Sequence, residues 1–210
     1  MKKLVLVTAP TTDPVTVTEV KQWLRIDTAA DDQILKNLIK SATSMLEDWT
    51  GRKFITQTWD YWLDSFPRIG GIDDWQGTKD GRLADELKQD SKIYLPIAPL
   101  ASLTSIKTVT DDGTEYTYAL SNVVVDNHDA VPRVSIKNST TWPTTFLRPI
   151  TGVQVRGVYG YGAATAVPFP LKQAIMETVG AMYDGRGSGC VGVPASAQAL
   201  VASYRVFPVW

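Results

Sequence analysis

The feature that most limits what this chain can become is one apolar stripe. Between Asp31 and Gly51, the residues Ile34, Leu35, Leu38, Ile39, Ala42, Met45, Leu46 and Trp49 recur at i, i+4 and i+7, the spacing that lines one side of an α-helix. Lys36, Lys40, Ser44, Glu47 and Asp48 fall off the stripe, so the predicted helix packs one face and wets the other. Asp31 or Asp32 is placed to cap its start, and Gly51 to stop it, because glycine enters the left-handed region without a Cβ clash. Such a helix gains most of its stability by burying that face, so the rest of the chain must supply a cover.

The flanking segments supply it. Thr16 and Glu19 have the spacing of a capping box, and Val17, Val20, Trp23 and Leu24 then form a stripe on a short first helix ending near Ile26. From Phe54 the period changes: Thr56, Thr58, Asp60 and Trp62 alternate with Gln57, Trp59, Tyr61 and Leu63 in a strand bounded by Pro67. Further short strands are expected at 93–95, 103–110, 116–118, 123–126, 133–136 and 153–159, with Asp111-Asp112-Gly113-Thr114 as a hairpin turn. Pro168 and Pro170 open a last long helix, on which Leu171, Ile175, Thr178 or Val179, and Met182 align before Gly185 and Gly187 end it. Runs of strands between helices, rather than strict βαβα alternation, point to the α+β class, with an N-terminal helical pair and a long C-terminal helix packed on a mostly antiparallel β block. The organisation read from this is a single domain over 1–187, interrupted by a polar, mobile loop insertion at 68–90, and an extended C-terminal arm over 188–210. One short helical stretch is expected around 195–203.

The composition narrows the function classes. With 44% hydrophobic residues in 210, the chain can bury a core. Twenty-one basic against 22 acidic residues leave a net charge of −1, without the cationic surplus that tight binding to a phosphate backbone needs. Cys190 is the only cysteine, so neither an intrachain disulfide nor a cysteine-based metal site is expected. The apolar run Leu4 to Val7 is shorter than the roughly 7 to 15 residues of a secretory signal core, and Pro10 and Pro14 follow it. No stretch approaches the ~20 apolar residues of a membrane span, so the protein is read as soluble, with no membrane partner.

Chemistry-bearing motifs are scarce. His128 is the only histidine, in a polar turn beside Asp126 and Asp129, and reads as a surface residue; no Gly-x-Ser-x-Gly elbow accompanies it. The pairs Asp31-Asp32, Asp73-Asp74 and Asp111-Asp112 are explained by a cap, a solvated loop and a hairpin. Gly157, Gly160 and Gly162 have the wrong order for a dinucleotide loop, and Ala166 to Pro170 keeps a helix N-terminus from following them at once to cradle a phosphate, so they read as a turn that lets strand and helix pack closely. Asn138-Ser139-Thr140 matches a glycosylation acceptor without a secretion signal to give it meaning. No catalytic residue, cofactor or metal site is expected. Seven tryptophans are many: Trp23 and Trp49 fall on helix core stripes, whereas Trp59, Trp62, Trp75, Trp142 and Trp210 are candidate contact platforms. Trp75 and Trp210 stand out, in segments with little core of their own.

Several stretches in fixed order carry a resemblance. Thr16 to Asp27 (TVTEVKQWLRID), Asp31 to Ile39 (DDQILKNLI) and Glu47 to Trp59 (EDWTGRKFITQTW) resemble the N-terminal half of the head-tail connector (adaptor) proteins of long-tailed double-stranded DNA phages. Ile93 to Leu103 (IYLPIAPLASL), Val158 to Gly162 (VYGYG), Pro170 to Ile175 (PLKQAI) and Ala199 to Arg205 (ALVASYR) extend it. The polar 68–90 segment and the glycine-rich 185–192 stretch depart from the pattern. The resemblance implies a structural virion protein assembled in the host cytoplasm, not an enzyme. Twelve copies would form a ring in the neck, between the portal protein and a stopper or tail-completion protein, with DNA crossing the lumen without sequence-specific binding. It also implies a portal-binding arm at Tyr204, Arg205, Val206, Phe207, Val209 and Trp210, and Trp75 is a second candidate protein contact. Another neck or tail-completion subunit, or a carbohydrate-binding β module, is the alternative.

Overall fold

The computed structural model describes residues 3–67, 92–128, 130–138, 140–143, 146–185 and 192–206. Two helices open the chain after an N-terminal strand: α1 (Val17–Leu24) and α2 (Asp32–Thr50). The capping box forms as the sequence predicts. The Thr16 amide donates to Glu19 Oε2 at 2.6 Å and the Glu19 amide donates to Thr16 Oγ1 at 3.2 Å. Gly51, at φ 69°, ends α2. Asp31 sits at the cap position of α2 but makes no side-chain cap bond. Its carboxylate instead accepts from the Tyr183 hydroxyl at 2.6 Å, while Asp32 accepts from Lys21 Nζ at 2.8 Å. This acidic pair therefore ties α1 and α2 to the long helix α3 (Phe169–Asp184).

The α2 stripe is narrower than the sequence implies. Leu35, Ile39, Ala42 and Leu46 are fully buried against Leu171, Ala174, Ile175 and Val179 of α3 and against Ala197 and Val201 of the short α4 (Ala195–Val201). Trp49 packs partly buried at the margin of this core. Ile34 and Trp23 do not join the core; Trp23 is 48% exposed. Each lies about 60 to 100° round its helix from the centre of the buried stripe, the angle that carries a side chain to the rim.

A second core is built by strands. The larger sheet has the order β1-β2-β8-β4-β5 and is antiparallel throughout, from β1 (Lys3–Thr8), β2 (Gln57–Leu63), β4 (Leu100–Val109), β5 (Glu115–Tyr118) and β8 (Val153–Tyr159). The smaller, in the order β3-β7-β6, joins β3 (Ile93–Tyr94), β6 (Val123–Asp126) and β7 (Arg133–Ile136). Ile93, Leu95, Val123 and Val134 of the smaller sheet region pack with Leu100, Ile106, Val153 and Val155 of the larger. Phe66 stacks on Trp142 at 4.5 Å, which turns Trp142 from a candidate platform into core. The β block is thus two sheets rather than one, and the helical core is incompatible with a pure β sandwich.

Two strands differ from the sequence expectation. The N-terminal Leu4 to Val7 run is an edge strand, β1, paired with β2. β4 begins at Leu100, and irregular register near Leu100 to Ser105 hides the alternation that would have marked it.

The two cores meet at a narrow junction. Lys53 donates to the Ala98 carbonyl, Tyr161 to Phe54 and Thr56 to Gly162, at 2.8, 3.1 and 3.1 Å. Gly160, at φ 115°, passes so close that a Cβ there would lie 2.5 Å from the Ile55 carbonyl oxygen. The glycine turn expected at 157–162 therefore exists, but it packs against residues 55–56 rather than against a helix. From this junction the strands run outward: Gln57, Tyr159 and Leu100 are in register near it, and Leu63, Val153 and Thr108 at the far end. Six residue steps separate the ends, about 20 Å.

Candidate functional site

The sequence points to protein contacts rather than to chemistry, so the relevant geometry is that of surfaces and their anchors. The Thr50-Gly51-Arg52 corner at the end of α2 is the most densely used. Arg52 Nε donates to the Tyr204 carbonyl at 2.6 Å and Nη1 to the Tyr161 hydroxyl at 3.3 Å. The Val206 amide donates to the Thr50 carbonyl at 2.8 Å, Gly51 lies directly under Val206, and the Arg205 guanidinium sits over the Trp49 ring at 4.7 Å. Among the arm residues, Tyr204, Arg205 and Val206 are thereby held against the body, with Val206 buried, and α4 before them is part of the helical core. The stretch from 192 to 206 is a folded-back segment rather than an extended one; Phe207, Val209 and Trp210 lie outside the described residues, as do Trp75 with the rest of 68–90.

Beside that corner stands a group the sequence placed on the wet side of α2. Glu47 is buried and accepts from Lys53 Nζ at 2.9 Å, the Phe54 amide at 2.8 Å and Gln57 Nε2 at 3.3 Å. One carboxylate thus fixes the turn from α2 into β2 and satisfies a backbone donor that would otherwise be buried unpaired. A lysine and a glutamine six and ten residues on were the only sequence signs of it. On the sheet, Asp60 plays a similar part, accepting from Arg156 through both carboxylate oxygens and from Gln154, so it cross-links β2 and β8.

The titratable groups among the described residues are held by local contacts. His128 is exposed in its turn, where its amide donates to Asp126 Oδ1 at 3.2 Å. The Arg133 guanidinium and that amide hold the Asp126 carboxyl below its ordinary range. The Tyr159 hydroxyl is buried, and burial above all pushes its pKa well up, so it stays protonated. Among the described residues, no three His, Cys, Asp or Glu side chains converge as a metal site, and no helix is long and apolar enough to cross a membrane.

Exposed apolar groups collect elsewhere. Leu4, Val5, Leu6 and Val7 of β1 are all exposed, as is Tyr116 of β5 on the opposite flank of the same sheet. At the far end, Phe146 is 92% exposed, on a loop braced from within. Arg148 Nη2 donates to Thr151 Oγ1 at 2.6 Å, Thr151 takes φ 55°, and its amide donates to Asp64 Oδ1 at 3.0 Å. Trp59 and Trp62 are half-buried, each with a cation over its ring, Lys53 at 5.2 Å and Arg148 at 5.6 Å, which spends their faces within the chain.

Residues 14–90 match the family model of the phage gp6-like head-tail connector proteins. No curated protein matches the sequence. Among solved structures, the fold is that of a chain in the neck of an empty GTA particle computed with C6 symmetry, at 23% identity and a TM-score of 0.76, covering 99% of this chain and 97% of that one. A chain from the virion of a native gene transfer agent (GTA) particle matches at 22% identity with a TM-score of 0.75, over the same shares. One from the neck of a native GTA particle computed with C12 symmetry matches at 22% and 0.74, again over 99% and 97%. At these identities the likeness is one of fold, end to end. Over α1, α2 and β2 the chain is thus similar in sequence to the head-tail connector proteins, and over its whole length it is similar in fold to these neck chains.

Proposed function

We propose that the protein is a structural, non-catalytic connector: a ring of twelve copies in the virion neck, seated between the portal protein and a stopper or tail-completion protein, with DNA passing through its lumen. The observation that carries this reading is the match of residues 14–90 to the head-tail connectors. The neck particles in which the similar folds stand, computed with C6 and C12 symmetry, favour a cyclic arrangement of twelve. A net charge of −1 suits a channel through which a polyanion slides, since every phosphate clamp would add a barrier to its passage.

The portal contact is assigned to the C-terminal arm. Tyr204, Arg205 and Val206 are its root, fixed on Trp49, Thr50 and Arg52, and the aromatic end Phe207, Val209 and Trp210 continues from that root. A preset root lowers the ordering cost of a short arm, and a ring of arms adds their weak bonds by multivalency. Trp75 is assigned as a second protein contact. The test mixes purified portal with the full-length protein and with a form ending at Val206, followed by negative-stain imaging. Full-length protein should add a disc to the portal, whereas the shortened form should keep its melting temperature and fail to attach. Equal attachment by both overturns the arm assignment; no attachment by full-length protein overturns the connector reading.

A further inference from the structure

A closed ring needs two unlike surfaces on opposite flanks of each copy, because its contacts are head-to-tail. The five-stranded sheet has such a pair of flanks: the outer edges of β1 and β5, four strand spacings or about 19 Å apart. Leu4, Val5, Leu6 and Val7 alternate between the faces of β1, yet are 38, 36, 43 and 44% exposed, so neither face of this strand is covered. Proteins usually blunt an open edge with charge, proline or a bulge. Here those devices come only at the ends, as Lys3, the irregular register at Val7, and Pro10.

The opposite flank complements it. β5 exposes Tyr116 at 54%, and the turn before it carries Asp111 and Asp112, followed by Glu115. Hydrogen bonds from Thr110 and Thr114 hold the Asp112 carboxyl below its usual range and hence ionised. Across the sheet, Lys3 pairs with Trp62, Trp62 with Gln154, Gln154 with Lys107 and Lys107 with Thr117. The cationic start of β1 and the acidic hairpin therefore lie at the same end of the sheet, and both β1 and β5 run from that end toward the junction.

The geometry points to a contact between two copies of this chain in which the β1 edge of one, Lys3 to Leu6, lies parallel to the β4–β5 hairpin of the next, Asp111 to Tyr118. The placement sets Lys3 near Asp111, Asp112 and Glu115 and covers Leu4 and Leu6 with Tyr116. It rests on the ring reading above.

Lys3 and Asp111 are both exposed, so Lys3→Glu and Asp111→Lys should leave the thermal melt unchanged. Each variant alone, mixed with purified portal, should yield about tenfold fewer closed discs than wild type, because like charges meet at every contact round the ring. An equimolar mixture of the two single variants should restore discs, since alternating copies place opposite charges at every contact. Unchanged disc counts for the single variants, or failure of the mixture to restore them, overturns this contact while leaving the connector reading standing. Absence of discs from wild type itself overturns both.

Discussion

The helical core and the β core teach different things, although one chain builds both. In the helical core, fully buried Leu35, Ile39, Ala42 and Leu46 follow one another at helical spacing, and their partners on α3 repeat the rule. In the β core, Ile106 packs with Val155 and Val123, and Phe66 with Trp142. These pairs join residues remote in the sequence, Ile106 and Val155 through the β4–β8 register, rather than following a local period. One core is specified locally and the other by long-range pairing; among the described residues they are joined by backbone hydrogen bonds at 53–56, 98 and 160–162 and by the bonds of Glu47 to Phe54 and Gln57.

The deepest cuts are therefore expected at matched positions in the two cores. Leu35→Ala and Ile106→Ala each remove a fully buried side chain and should each cost about 2 to 5 kcal/mol. Urea unfolding followed by far-UV circular dichroism measures this. A markedly smaller loss for Ile106→Ala would mean that the β core can collapse around a cavity as the helical core cannot. Next comes the junction. Gly160→Ala puts a Cβ against the Ile55 carbonyl at a φ that L residues rarely adopt, a cost of about 3 kcal/mol. Wild type should unfold with coincident far-UV and tryptophan-fluorescence transitions. In Gly160→Ala the two should separate, as helices and sheets lose their common hinge. Coincident curves in the variant would show that the cores communicate by a wider contact.

The same contrast governs what could be read from the sequence. α1, α2 and α3 were legible because periodicity and caps are local, and the 111–114 hairpin because its turn chemistry is too. β1 was not, because four apolar residues followed by prolines become a strand only when β2 lies beside them. The splitting of the strands into two sheets was equally hidden. Of the proposed portal-binding arm, the aromatic composition was visible, but the anchoring of Tyr204 was not, since Arg52 reaches it across 152 residues of sequence. Glu47 was misplaced on the wet side because helical periodicity says nothing of Lys53 and Gln57 folding back over it. Glu47→Ala should cost about 2 kcal/mol, leaving the buried Phe54 amide without its acceptor. Hydrogen exchange at the Phe54 amide, accelerated by that factor while amides of α1 stay protected, is the matching measurement.

The smallest effect sits where the sequence was most transparent. Thr16→Ala breaks the capping box and should cost about 1 kcal/mol near neutral pH. Hydrogen bonds from the Thr16 amide and hydroxyl hold the Glu19 carboxyl below its ordinary value in the folded protein. A carboxyl lowered by folding stabilises the fold above its unfolded pKa, and that contribution fades as pH falls through the lowered folded value. The deficit of Thr16→Ala relative to wild type should therefore be largest near neutrality and shrink in acid, in parallel with the loss of the Glu19 contribution. Melts of both proteins across the carboxylate range decide it. A deficit constant with pH would mean that Thr16 acts through its hydroxyl on the helix amides alone, with Glu19 a bystander.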